Sequence, residues 1–437
     1  MVLFRTSLTV SAMKKEAEPA ELRPSLSLFD ATAISVGAIV GAGIFVVIGI
    51  AAGQAGSAFV LSMVIAAFIA LFSALSIAEL SARYPTEGSV YEFGRELISP
   101  FAGFLSGWMW ILSNTFAGAA VSLGFAYYLT YLLPGIPPQL VAALVCIAMT
   151  ALNHYGARQS ALLNNFLVTA KLIILAFFCV FGVLYANSSN LVPFAPFQPG
   201  VLVGAFYIFF AYGGFARVAV VAEEVKDARR NVPKAVILSL VISTAFYVAV
   251  GAVALGLAGA ESLSNSKSPL ADAIGKTGSQ LAVGLVSLGG LLATASVLLT
   301  SVLGVSRMAY AMARKSDLPV SLSRVDAKHN TPYYSVWFAG ILMTVLVLSI
   351  DLSSVVAIST FAMLFYYASS NISALRLKKK DRRYPQAVPL IGGITCIALL
   401  IVILFLSPQA WAIGLAGLIV GAVYYFAKHR GSGKAKV

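Results

Sequence analysis

The sequence predicts an all-α integral membrane protein of about twelve hydrophobic helices, on three observations. Of its 437 residues, 59% are hydrophobic and only 11% charged. An average globular chain is about 25% charged, so a water-soluble core has no means of hiding this much apolar surface. Apolar runs of roughly 18 residues or more recur from Ala31 onward, each long enough to cross a hydrocarbon layer of roughly 30 Å as a helix. Of the 30 Lys and Arg, all but Lys171, Lys267 and Lys276 fall on one side of the expected spans or at helix ends there. This positive-inside bias puts both termini in the cytoplasm, makes the cell membrane the expected location, and accounts for the net charge of +13 without a nucleic-acid partner.

Residues 1–27 read as a charged cytoplasmic tail. It carries Arg5, Lys14, Lys15 and Arg23 but no long apolar region followed by a small-residue cleavage site, so no cleaved signal peptide is expected. The first six expected spans cover 28–54, 57–82, 99–132, 138–153, 161–185 and 200–222. The second six cover 233–258, 279–313, 335–350, 353–376, 389–406 and 410–427, and 428–437 forms a second cytoplasmic tail. Between the second and third spans, Glu87 to Ile98 is too polar to cross and reads as a short interfacial helix. Cys146, Cys179 and Cys396 all lie in apolar spans and give neither a disulfide framework nor metal spacing.

Two spans break the helical rule. The first contains Gly37, Gly41 and Gly43 within Gly-Ala-Ile-Val-Gly-Ala-Gly-Ile-Phe, and the sixth contains Gly213 and Gly214 within Phe-Phe-Ala-Tyr-Gly-Gly-Phe. Five spans separate them, an odd number, so the two helices run in opposite directions, as expected of two five-span halves related by inversion. Unwound backbone at membrane depth is tolerated only where it lines protein or a water cavity, which directs both breaks to one central site. The alternative is that these glycines serve close helix packing.

Four segments, spread over about residues 28 to 430, resemble the amino acid, polyamine and organocation transporter superfamily. They are Gly37 to Phe45, Tyr84 to Tyr91, Phe209 to Phe215 with Glu223 to Asp227 and Asn231 to Pro233, and Ser306 to Arg314 with Leu318-Pro319 and Thr331-Pro332. In the second, Ser89 stands where the family commonly has glycine. The resemblance implies a LeuT-type fold: an inverted repeat of 28–185 and 200–376, broken helices 1 and 6, and two further helices at 389–427. It also implies a secondary active transporter of amino acids, with no catalytic residues and no cofactor beyond a coupling ion. An amino acid exchanger and a non-transporting nutrient sensor share this fold.

A broken helix offers both complements of a zwitterion without a charged side chain. Free N–H groups at the positive end of the second half-helix suit a carboxylate. The family motif assigns these donors to Ala42, Gly43 and Ile44, with Gly41 opening the break. Free carbonyls suit the ammonium, and the matching positions are Ile39, Phe210, Ala211 and Gly213. Candidates for the side-chain wall are Ser113, Asn114, Tyr212, Phe215 and Phe361.

Lys171 is the sharpest single residue. Counted from Leu162, near the start of the fifth span, it lies nine residues in, about 14 Å at 1.5 Å per residue, close to the midplane and beyond the reach of headgroups. Proton-coupled members of the superfamily carry a lysine in the segment that Thr169 to Leu172 resembles. The expectation is proton coupling, with the ammonium bonding carbonyls near Gly37 or Ala38 and a hydroxyl such as Ser296 or Thr300.

Arg217, just after the sixth-helix break, departs from the family and requires an anion, either a protein carboxylate such as Glu79 in an ion pair or an acidic substrate. Glu79 with Arg83, and Glu223 with Glu224, read as solvated interface charges or as parts of an inner gate. Intramembrane Asp, Glu and His are too scarce to build an enzyme site, and no selectivity-loop signature of a channel occurs.

Overall fold

A computed structural model describes residues 24–86, 88–326, 329–349, 352–406 and 408–432. The expected tails at 1–27 and 428–437 fall mostly outside these, as does Glu87. Sixteen α-helices account for most of the described residues, whose only β-pairs are the isolated bridges Leu26–Val225 and Asp326–Thr331.

The first apolar run is three helices rather than two. α1 (Leu28–Ile39) starts on a capping box in which the Ser27 side chain receives Asp30 N–H and Asp30 receives Ser27 N–H. It stops where Val40 turns extended (φ −76°, ψ 93°). After a π-helical turn at Gly43–Val47, α2 (Ile48–Ala55) carries the chain on to α3 (Phe59–Arg83). The short α4 (Val90–Leu97) occupies the polar segment expected at 87–98. α5 (Pro100–Leu132) is fixed at its start by Ser99 as N-cap and Pro100 in the first turn. α6 (Pro138–His154) and α7 (Ala157–Val183) follow.

The sixth run is interrupted after 13 residues. α8 (Gly200–Tyr212) alone is about 20 Å long at 1.5 Å per residue, short of a roughly 30 Å layer. A turn at Gly213 to Ala216 and the four-residue α9 (Arg217–Val220) complete it. α10 (Ala228–Ser264) is longer than the expected 233–258, because Pro233 falls early enough to be absorbed and the helix continues past a kink at Gly259 (φ 71°). α11 (Pro269–Gly275) was not anticipated. α12 (Gln280–Arg314), α13 (Tyr333–Val347), α14 (Leu352–Leu375), α15 (Ala387–Leu406) and α16 (Pro408–Ser432) complete the chain.

Among the described residues, eight helical stretches are long and apolar enough to cross a membrane, one of them comprising α1 to α3, and α6, α8 and α13 are shorter apolar helices. Large apolar side chains point outward along several of them, among them Phe166, Ile173, Val180, Leu281 and Phe405. The solvent of these faces is lipid. Inside, α5 packs along α12 and α14, while α10 packs on α1 and α3. The two interrupted helices meet at their interruptions. A Cβ on Gly214 would lie 2.3 Å from the Ala38 carbonyl carbon, and one on Gly43 would lie 2.2 Å from the Ala211 Cβ. Close packing and unwinding are therefore one requirement at these glycines, not alternatives.

Candidate functional site

Where a helix stops inside a protein, its last carbonyls lose their partners. The carbonyls at the α1 break find side-chain donors instead. Lys171 of α7, fully buried, donates through Nζ to Gly37 O (3.1 Å), to Ser296 Oγ (2.8 Å) and to Val40 O. Ser296 Oγ also lies 3.0 Å from Gly37 O and 3.2 Å from Asn164 Oδ1, and Asn164 donates to Ala33 O (2.9 Å). A cation at the negative end of α1 is the favourable placement for the helix dipole. Ala38, expected beside Gly37, is not among the acceptors of Lys171, because Val40 turns its own carbonyl toward the ammonium. Thr300, one turn beyond Ser296, serves a different cation.

That cation is Arg217. Its Nη1 donates to Thr300 Oγ1 (3.1 Å), Ser301 Oγ (2.9 Å) and Val297 O (3.4 Å), and its Nη2 donates to Asn114 Oδ1. The expected ion pair with Glu79 does not form. Glu79 is buried at the end of α3, where it accepts from the backbone N–H groups of Arg383 and Tyr384. Glu79 thus caps a turn on the chain leading into α15, while Arg217 sits beside a central cavity.

The cavity is lined by Ala38, Ile39, Ala42 and Gly43 from the first break and by Phe210, Ala211, Gly213, Gly214 and Arg217 from the second. Ser113, Asn114, Ala117 and Val121 of α5, Val297 of α12, and Met363 and Tyr366 of α14 close it. Its water-accessible volume is ≈ 20 Å³, about that of one water molecule by the same measure. Most of the residues that line it are buried.

The four carbonyls expected to hold an ammonium are not vacant. Tyr247 Oη of α10 lies 2.6 Å from Ile39 O and 3.0 Å from Ala211 O, tying the two breaks together through one hydroxyl. Phe210 O accepts from Gly213 N–H (3.1 Å) and Gly213 O from Tyr367 Oη (3.2 Å). Each keeps a second lone pair.

The chain matches the family model described as amino acid permease over residues 26–424. It is an amino acid permease by family. An uncharacterized transporter of Mycobacterium tuberculosis is 35% identical over 412 residues, covering 93% of this chain and 92% of that protein. The branched-chain amino acid permease of Bacillus subtilis is 32% identical over 431 residues, with 93% of each chain covered. The mouse cationic amino acid transporter 4 is 31% identical over 408 residues, covering 87% of this chain and 64% of that protein. All three are transporters by name, and none is an enzyme.

Within this permease, several expected wall residues lie elsewhere. Tyr212 turns its ring to Tyr247 (5.1 Å), Phe215 stacks on Tyr367 (4.8 Å), and Phe361 packs on Trp411 (5.7 Å) and against Gly414. Ile44 is buried away from the cavity, and Gly41 backs onto Val297, where a Cβ would meet the valine at 2.1 Å. Ser113 lines the cavity but spends its hydroxyl on Ser359 O (2.8 Å). Glu224 is not solvated: it is buried and paired with the fully buried Arg307 at 2.7 Å. Glu223, more exposed, meets Arg314 at 3.2 Å. Residues missed at the sequence level are Tyr247, Asn164, Tyr366 and Met363. A polar tip in an apolar span was the available signal for the first three, since a buried hydroxyl or amide demands a partner.

Proposed function

We propose that this permease is a secondary active transporter that moves an amino acid across the cell membrane together with a proton, by alternating access around the central cavity. The supporting fold reading is twelve crossings arranged as an inverted five-plus-five repeat with two appended helices, both termini cytoplasmic. The α-amino and α-carboxylate groups common to all amino acids would meet the free N–H groups that open the second half of the first helix and the second lone pairs of the break carbonyls.

Lys171 carries the proton-coupling reading. Its ammonium donates to two carbonyls at the break and to Ser296 Oγ, so loss of its proton would leave two N–H groups for three acceptors, remove the charge at the end of α1, and weaken its hold on α7 and α12. A proton on Lys171 and a closed break thereby stabilise one another, which is the linkage that symport requires. No carboxylate among the described residues pairs with this lysine, so the coupling charge is the lysine's own. The named relatives include a branched-chain permease and a cationic transporter, and what those substrates share is the α-amino acid backbone.

The test is uptake into liposomes containing the purified full chain, with a labelled amino-acid mixture and an imposed pH gradient. Gradient-driven accumulation is expected in the wild type, with at least a tenfold loss in Lys171→Ala. Full pH-dependent accumulation in Lys171→Ala would remove proton coupling through this residue. Gradient-independent exchange in the wild type would make the permease an antiporter.

A further inference from the structure

We propose that the cavity selects an amino acid with an anionic side chain, an α-amino dicarboxylate of the aspartate and glutamate class, and that Arg217 receives its second carboxylate. This rests on the reading of the cavity as an amino-acid site.

Charge carries the inference. Arg217 is 3% exposed and lines the cavity, yet its acceptors are two hydroxyls, an amide and a backbone carbonyl. No carboxylate among the described residues pairs with it. The buried carboxylates that do have cationic partners are already engaged: Glu224 pairs with Arg307 and Asp317 with Arg95. A second cation stands one turn away, since Ser296, which accepts from Lys171, and Thr300, which accepts from Arg217, are four residues apart on α12. The two basic side chains thus bond residues about 6 Å apart along one helix, and a buried guanidinium at membrane depth with no carboxylate partner favours an anion beside it.

Geometry shows where that anion enters. Arg217 Nε is buried with no hydrogen-bond partner, and Nη2 is held only by Asn114 Oδ1. The Nε–Nη2 edge of a guanidinium is the fork that binds a carboxylate bidentately. Asn114 also lines the cavity, so its amide oxygen fills the position that a substrate carboxylate would take. The α-carboxylate end is near: Val297, whose carbonyl accepts from Arg217, presses its side chain on Gly41 at the first break. Val297 of α12 thus touches both ends of the site. The same guanidinium would repel a cationic side chain.

Uptake by the full chain in liposomes decides the matter, using labelled L-glutamate, L-glutamine, L-leucine and L-lysine, each with and without chloride. Wild-type permease should take up glutamate, with inhibition by aspartate and little inhibition by the neutral or cationic amino acids. Arg217→Gln, checked for folding by its elution and melting profile, should weaken glutamate by about 10- to 100-fold, the loss of a charge-assisted hydrogen bond, while moving glutamine only a few-fold. Arg217→Lys should retain part of the preference. If Arg217→Gln does not fold, the wild-type ranking of the four substrates still decides. Uptake of leucine or lysine at least equal to glutamate overturns the proposal and leaves amino-acid transport standing. An unchanged glutamate-to-glutamine ratio in folded Arg217→Gln overturns it too, as does leucine uptake that depends on chloride, which would make the anion inorganic. Uptake of none of the four, with no thermal stabilisation by any, removes the amino-acid reading and this proposal together.

Discussion

Tyr247 joins two chain segments that no local pattern connects: its hydroxyl reaches Ile39, 208 residues away in sequence, and Ala211. Removing that hydroxyl with Tyr247→Phe keeps the ring against Tyr212 and takes away the one proton that the Ile39 and Ala211 carbonyls share. The expected cost is about 1–3 kcal/mol, the penalty for an unsatisfied buried polar group, read as a lowered denaturation midpoint in detergent. A midpoint equal to wild type would mean that water replaces the hydroxyl. Lys171 was legible in the sequence because one charge in a long apolar run has few explanations. Tyr247 and Asn164 were not, because a tyrosine or asparagine in a span reads equally well as an interface anchor until its distant partner is known. Glu92 of α4 gives a pH-dependent case outside the membrane spans. Burial raises its carboxyl above the usual 4.5, so the folded protein holds that proton more tightly than the unfolded chain does. The ionised form is then a liability that is present at pH values above the raised value and absent below the unfolded one. Glu92→Gln should raise the melting temperature at pH 8 and lose that advantage as the pH falls toward 4, and a constant offset across that range would show that the carboxyl does not titrate between the two states.

At the scale of elements, the broken helices were readable from glycine spacing, and most helix ends followed from the switch between apolar and polar runs. What the spacing did not reveal is that each break fills the other. The backbone at Ala38 and Ile39 lies against Gly214, and Ala211 lies against Gly43, so an added methyl meets backbone or a fixed Cβ that has nowhere to move. Gly214→Ala and Gly43→Ala should each abolish uptake and lower stability by about 1–3 kcal/mol, the range for overpacking a core. Gly284, in α12, has nothing within 4 Å of an added Cβ. Gly284→Ala should be neutral or stabilise by up to about 1 kcal/mol through helix propensity, which makes it the control for substitution in a spanning helix. Equal losses in all three variants would mean that the breaks are not special. The unforeseen α11 and the long α10 have a simpler origin. Pro233 marks the expected start of the seventh span, whereas proline is absorbed near a helix start, so α10 begins earlier and packs on α1 and α3; α11 starts with Pro269 in its first turn and packs on α10 and α12.

Across the whole molecule, the two interrupted helices are tied together outside the cavity lining. The segment Ser25 to Leu26 donates its N–H groups to Glu224 O (2.9 Å each), and Lys226 N–H returns to Leu26 O (2.8 Å), so the strand entering α1 is tied to the chain leaving α9. The Glu224 side chain adds its ion pair to Arg307 of α12, joining both interrupted helices to one long helix. A buried pair is costly to break from one side, about 3–5 kcal/mol when a charge is left behind. On the alternating-access reading, that energy favours closure at the Glu224 end, and weakening the pair should shift the population toward the open form. Glu224→Gln keeps an acceptor for Arg307 and removes the charge, so it should open this end without unfolding the chain. The reporter is Ala117→Cys, which lines the cavity, in a background with Cys146, Cys179 and Cys396 replaced. A membrane-impermeant thiol reagent applied from the side of Glu224 should label this cysteine several-fold faster in the Glu224→Gln background. Faster labelling only from the opposite side would mean that the pair holds the molecule open toward Glu224, reversing its assignment as a closing contact.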